Sequence, residues 1–212
     1  LYTSGASVDW IRGITGREDR LALMGAAAAV PPGSNGATFM PHLRLSSPPN
    51  IDSKSRGAFL GLTTDTDQAA LVRAVYEGIA YEARLSMEPL IRFAGEESLP
   101  DISVIGGSSR NELLLQIKAS VTNRPHHVLH IHEATALGAA LLGGQAAGIY
   151  RDADDAHGAV EVESSTVEPD ATAVAFYEEF YQSVYQQLYA TLKPLNHAIY
   201  DQVVDEDSEV DA

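Results

Sequence analysis

The sequence contains no cysteine. That absence removes disulfides, thiol nucleophiles and cysteine-ligated zinc together, and it is compatible with a cytoplasmic location. Lysine is nearly absent too: Lys54, Lys118 and Lys193 are the only ones, and every other basic side chain is an arginine. No apolar run is long enough to span a bilayer, and no basic segment followed by an apolar one opens the chain. The first residues, Leu1-Tyr2-Thr3-Ser4, lack a methionine, which reads as a fragment or a processed chain.

What is abundant is acid. Twenty-nine Asp and Glu face 14 Lys and Arg, for a formal charge of −15. Coulomb repulsion of that size argues against nucleic acid and anionic membranes as partners. An acid-rich, lysine-poor surface suits a protein kept soluble in high salt, where screening relieves self-repulsion; an ordinary acidic surface is the plainer alternative. The 212 residues suffice for a buried core, and neither an internal repeat nor an interior linker divides them.

Residues 102–121 read as strand, turn and helix. Ile102 and Val104-Ile105 give a short buried strand, Gly106-Gly107 a turn, and residues 112–121 a helix with Leu113, Ile117 and Val121 at four-residue spacing. Glycine lets backbone approach a ligand, and the free N–H groups of a helix start favour anions. No Gly-Lys-Ser/Thr follows, so this is not a P-loop, and a turn of this kind is more often a plain chain reversal. Residues 5–12 repeat the pattern of a glycine leading into a helix, with Ser7 as its expected N-cap.

The rest of the chain follows the same logic. Residues 19–30 are alanine-rich and helical, and Pro31-Pro32-Gly33-Ser34-Asn35-Gly36 breaks them. Residues 39–43 are extended, 44–55 form a surface loop, and 57–62 a short strand. A long helix spans residues 68–87, with Pro89 ending or kinking it. Gly78 at its middle predicts close packing against another backbone. Residues 126–131 form a strand, and 133–144 a helix of small residues suited to packing on a sheet. Residues 152–167 read as polar loop, 169–192 as one amphipathic helix, and 201–212 as a disordered acidic tail. Strand and helix in alternation predict an α/β domain whose later strands are parallel.

Several spaced stretches together resemble one family, the FGGY carbohydrate kinases. They are Gly5-Ala6-Ser7-Val8-Asp9-Trp10, the turn from Pro32 to Gly36, Phe39-Met40-Pro41 followed by Pro48 and Asp52, and Arg56-Gly57-Ala58-Phe59-Leu60-Gly61-Leu62. Further on come Arg73-Ala74-Val75-Tyr76-Glu77-Gly78-Ile79-Ala80, Gly106-Gly107-Ser108-Ser109-Arg110-Asn111 and Glu133-Ala134-Thr135-Ala136-Leu137-Gly138-Ala139-Ala140. No piece is specific alone; their order and spacing are.

The resemblance implies an actin-like, ribonuclease H-like ATPase fold, of which residues 1–200 are a partial C-terminal nucleotide-binding lobe. It implies ATP and Mg²⁺ as cofactors, and a sugar or polyol substrate bound through an N-terminal lobe that also carries the catalytic aspartate. Within this sequence it implies Gly5, Asp9, Gly107 and Asn111 as nucleotide-binding residues, with Asn111 near the adenine; it assigns no catalytic or metal-binding residue, and a homodimer is compatible with it. Asp9 stands where relatives carry a side-chain amide, so as a carboxylate it can only accept hydrogen bonds. Arg44-Leu45-Ser46-Ser47 stands where many relatives have a Gly-Glu-Arg-Thr type run, and Ser120 where an aspartate is common. A stand-alone nucleotide-binding or interaction module without chemistry is the alternative reading.

Three clusters invite sharper readings. His126, His127, His130 and His132 could suggest a metal, yet no carboxylate but Glu133 has matching short spacing, and structural roles are expected. Tyr177, Tyr181, Tyr185 and Tyr189 are expected as a half-buried packing face. Glu77 and Glu82 are expected as solvent-facing or helix-end charges.

Overall fold

The computed structural model describes residues 4–15, 20–95, 101–131 and 133–204. Its centre is α3 (Gln68–Ala94), buried on every side from Val72 to Glu82. The helix starts where Asp67 accepts a hydrogen bond from Ala70 N (2.8 Å), and it stops at Gly95, whose left-handed backbone (φ 76°) closes the last turn. Pro89 neither ends nor limits it: the helix runs on to Ala94, past the residue 87 expected from the sequence.

Around α3 pack α1 (Ser4–Thr15), α2 (Arg20–Ala29) and the antiparallel pair β1 (Thr38–Met40) and β2 (Ala58–Leu60). The expectation for Gly78 holds. A Cβ there would collide with the Phe39 carbonyl oxygen, so only glycine lets β1 lie this close to the helix. Phe39 and Met40 are buried against it, and Trp10 of α1 stacks on Phe39 and Phe59 at 5.7 and 6.1 Å.

On another flank α4 (Glu112–Thr122) packs against α3 and beside the sheet of β3 (Ile102–Val104), β4 (His126–Leu129) and β5 (Ser164–Val167). β3 and β4 are parallel, as expected, with Ile102 opposite His126. β5 is antiparallel to β4 and lies in the stretch read as loop, which also holds α6 (Ala153–Gly158). The sequence Ser-Ser-Thr-Val offers no apolar alternation, and β5 is held by main-chain pairing, which pattern reading does not detect.

Two further expectations change. α5 (Ala134–Ala146) does not bury its small residues against the sheet: not one of its residues is buried, and its main neighbour is α6. The final amphipathic stretch is α7 (Ala171–Phe180), a π-helical turn at Tyr181–Tyr185 and α8 (Gln186–Val204), which runs past the expected start of the tail at Asp201. Residues 205–212, expected to be disordered, lie outside the described residues. Tyr177, Tyr181 and Tyr185 are buried more deeply than expected, each at most 2 % exposed. No helix among the described residues is long and apolar enough to cross a membrane.

Candidate nucleotide site

After β3 the chain turns at Gly106, whose φ of 82° lies in the left-handed region that glycine adopts without cost. A single 3₁₀ turn, Gly107–Arg110, follows. Ser109 closes it by donating both its N–H and its hydroxyl to the Gly106 carbonyl, at 3.1 and 2.6 Å. Asn111 then caps α4: its side-chain oxygen accepts from Leu114 N at 3.1 Å, and the residue is 3 % exposed. Its carbonyl oxygen is therefore committed to the helix, which leaves the side-chain NH₂ as the group that can meet a ligand.

Two cavities open beside this turn. One of about 330 Å³ lies between α4 and the sheet, with Leu115, Val128 and Val167 as its apolar side and Glu112, His130 and Ser165 as polar lining. The other, of about 220 Å³, shares Ser109 and His130 and adds Arg110 and Ile131. Ser109 and Arg110 sit inside the motif read from the sequence, whereas Ser165 carried no signal because its strand was not foreseen.

The second pair of expected residues lies on α1. That helix begins at Ser4, so Ser7 is an interior position and not the N-cap. Ser7 is fully buried and its hydroxyl has no hydrogen-bond partner. Around Gly5 a Cβ would meet open space, and Asp9 is exposed, with one oxygen 3.1 Å from Arg12. α1 and α4 both pack on α3, so the two expected pairs are mounted on one central helix.

The largest departure concerns the acids of α3. Glu77 and Glu82 are 3 % and 2 % exposed, not solvent-facing. Glu77 accepts from Gly33 N (3.0 Å), Ser34 Oγ (2.8 Å), Arg73 Nε (2.9 Å) and Tyr177 OH (2.9 Å). Burial pushes its carboxyl above the usual range even against the pull of Arg73. Gly33, Ser34, Asn35 and Gly36 all have positive φ, and Glu77 holds the first two of that left-handed run in place. Glu82 accepts from Tyr185 OH (3.2 Å), and its other oxygen lies 3.1 Å from His42 Nε2.

His42 Nδ1 is in turn 2.7 Å from Ser55 Oγ. Serine, histidine and carboxylate in line are the parts of a nucleophilic site. Here Ser55 is 0 % exposed, so no substrate reaches it, and the line ties the loop between β1 and β2 to α3. In that loop Ser46 and Ser47 are buried and Arg44 is exposed. Ser120, where an aspartate is common, donates to Gln116 O (2.8 Å) and accepts from Asp170 N (3.0 Å), joining α4 to the start of α7.

Among the described residues, His126, His127 and His130 do not converge. His126 is buried, its Nδ1 3.1 Å from Arg124 O, while His127 lies beside Thr166 and His130 beside Ser165. His132 lies outside the described residues, among which no three histidine or acidic side chains group as metal ligands.

Residues 2–147 match the model of the C-terminal domain of the FGGY family of carbohydrate kinases. The chain belongs to that family. Among curated relatives, glycerol kinase from Janthinobacterium sp. (strain Marseille) is 35% identical over 155 residues, covering 73% of this chain and 31% of that protein. Glycerol kinase from Ralstonia pickettii (strain 12J) is 36% identical over 153 residues, covering 72% and 30%. The chain thus spans about a third of the length of the curated relatives it matches. Of solved structures, a xylulose kinase from Lactobacillus acidophilus superposes with a TM-score of 0.79 at 24% identity, over 89% of this chain and 38% of that one. A xylulose kinase from Rhodospirillum rubrum gives 0.74 at 26% identity, over 91% and 39%. The fold of this FGGY lobe is thereby the actin-like ATPase fold of those kinases.

Proposed function

We propose that the chain is the ATP-binding part of a carbohydrate kinase that moves the γ-phosphoryl group of ATP to a hydroxyl of a sugar or polyol. The observation that carries this reading is the turn at Gly106–Asn111: a left-handed glycine, a tight 3₁₀ turn and a capped helix start beside two cavities. In this reading Gly107 lets backbone approach the nucleotide, the Asn111 amide donates to the adenine, and Gly5 and Asp9 approach from α1, Asp9 accepting from a ribose hydroxyl or the adenine amino group.

The Mg²⁺ that accompanies ATP would be coordinated through the phosphate oxygens. Bound at this turn, ATP supplies the phosphoryl group, and Mg²⁺ offsets its charge. The work of this chain is to bind and orient the nucleotide; the sugar and the aspartate that takes the hydroxyl proton belong to the other lobe. The chain alone is therefore expected to bind ATP without turnover. A coupled assay with ATP, Mg²⁺ and a panel of pentuloses and polyols tests this. Turnover by these 212 residues alone would overturn the division of labour, and absence of turnover from the same chain joined to an N-terminal lobe would favour a binding module.

A further inference from the structure

Five asparagines occur in the chain, and the residues that follow them are Gly36, Ile51, Glu112, Arg124 and His197. Asn35 alone precedes glycine, which has no Cβ to shield its main-chain nitrogen. Asn35 and Gly36 are both exposed, and a Cβ on Gly36 would meet open space. Among the described residues the Asn35 carboxamide has no hydrogen-bond partner. Asn111 and Asn196, by contrast, are buried and bonded through their side chains. The composition at Asn35 thus favours attack of the Gly36 nitrogen on the side-chain carbonyl, and the backbone opposes it. Closing a five-membered imide brings that nitrogen onto the Cβ side of the Asn35 Cα–C bond. At the observed ψ of 32° it stands nearly opposite Cβ, and its N–H donates to Gly33 O at 2.8 Å.

We propose that Asn35-Gly36 is a site of spontaneous deamidation that the folded turn keeps closed, with Glu77 holding the lock. The reaction consumes only water. Base takes the Gly36 amide proton, the nitrogen bonds to Asn35 Cγ, and the Cγ–N bond of the carboxamide breaks to release ammonia. Water then opens the imide at one of its two carbonyls, leaving an aspartyl or an isoaspartyl residue. Before any of this, Asn35 ψ must rotate and the Gly36 N–H must leave Gly33 O. The turn is held against that movement from three sides. Glu77 of α3 accepts from Gly33 N and Ser34 Oγ, the Phe176 ring closes over Gly33, and Gly61 lies against the Gly36 carbonyl. An isoaspartyl product carries the main chain through Cβ and is one atom longer, so the turn from Gly33 to Gly36 no longer closes in register. The product therefore marks chains in which the link between α2 and β1 has opened.

Incubation of the protein at mildly alkaline pH, folded and in denaturant, with peptide mapping of the aspartyl and isoaspartyl products, tests this. Asn35 is expected to convert before the other four asparagines in both states. It is expected to convert at least about tenfold faster in denaturant, where no opening of the turn is required. Ser34→Ala loosens the lock selectively, because Gly33, Arg73 and Tyr177 still hold Glu77. Loss of one hydrogen bond to a charged group shifts an opening equilibrium about tenfold or more, so the rate in the folded variant should rise by that factor. Its rate in denaturant should match the parent's. Conversion as fast in the fold as in denaturant, an unchanged rate in a folded Ser34→Ala variant, or earlier conversion at another asparagine overturns the proposal.

Discussion

The middle of α3 and the whole of α5 invert the usual rule about which residues go inside. α3 buries Arg73, Glu77 and Glu82, while α5, a helix without one charged residue, buries nothing. Partners explain both. Glu77 is surrounded by four donors from three parts of the chain, and burial pushes the phenols of Tyr177 and Tyr185 above their usual range, so both stay protonated and donate. Among the described residues α5 has no comparable cover, and its main neighbour is the short α6.

If partners decide burial, removing one should cost most at Glu77. Glu77→Leu leaves the Arg73 guanidinium buried without its carboxylate, and is expected to lower the unfolding free energy by about 3–5 kcal/mol. Adding Arg73→Met should recover part of the loss, because the orphaned charge goes too. Denaturant titration of the single and double variants reads this, and a single variant within 1 kcal/mol of the parent would break the comparison. Next comes packing. Gly78→Ala drives a methyl into the Phe39 carbonyl, which belongs to backbone and cannot swing aside, for an expected loss of about 2–3 kcal/mol.

Asp52 extends the comparison to pH. Burial opposes its ionisation, yet hydrogen bonds from His197, Lys54 N and Tyr189, with the charge of His197, outweigh that and hold its carboxyl at about 2. Because the folded value lies below the ordinary 3.8, the stabilisation is complete above the unfolded pKa and is lost as pH falls through about 2. Asp52→Asn should therefore cost up to about 2 kcal/mol at neutral pH and flatten the acid limb of a melting-temperature profile between pH 4 and pH 2; an unchanged limb would place the acid sensitivity elsewhere. The smallest effect is expected on α5. Leu142, 68 % exposed, should accept Lys with a change within about 0.5 kcal/mol, and a larger loss would mean that α5 is covered after all.

How far the sequence went depended on the range of the interaction involved. The helix of Leu113, Ile117 and Val121, the strands after residues 38 and 57, and the close approach at Gly78 were legible because periodicity and glycine are local signals. Glu77 was not, since its partners stand 44 positions before it and 100 after it, and an acid on a helix reads as solvated until they are known. β5 was hidden by polar side chains. Within the glycine turn the family resemblance singles out Gly107 and Asn111 as expected contacts, while the capping role of Asn111 shows only in the geometry. The cap also alters how Asn111 is tested, because Ala there removes the Leu114 hydrogen bond along with the amide.

Calorimetric titration of ATP into the protein, with Asn111→Ser beside Asn111→Ala, tests the central claim most directly. Serine keeps a neutral oxygen for the Leu114 N–H, so its melting temperature should stay near the parent's, while alanine should lose about 1 kcal/mol of stability with the cap. Both lack the side-chain NH₂, and both should bind ATP more weakly by about 0.5–3 kcal/mol, roughly two-fold to more than a hundred-fold. A folded Asn111→Ser variant with the parent's ATP affinity would contradict the account, leaving Asn111 as a helix cap and the turn as a chain reversal.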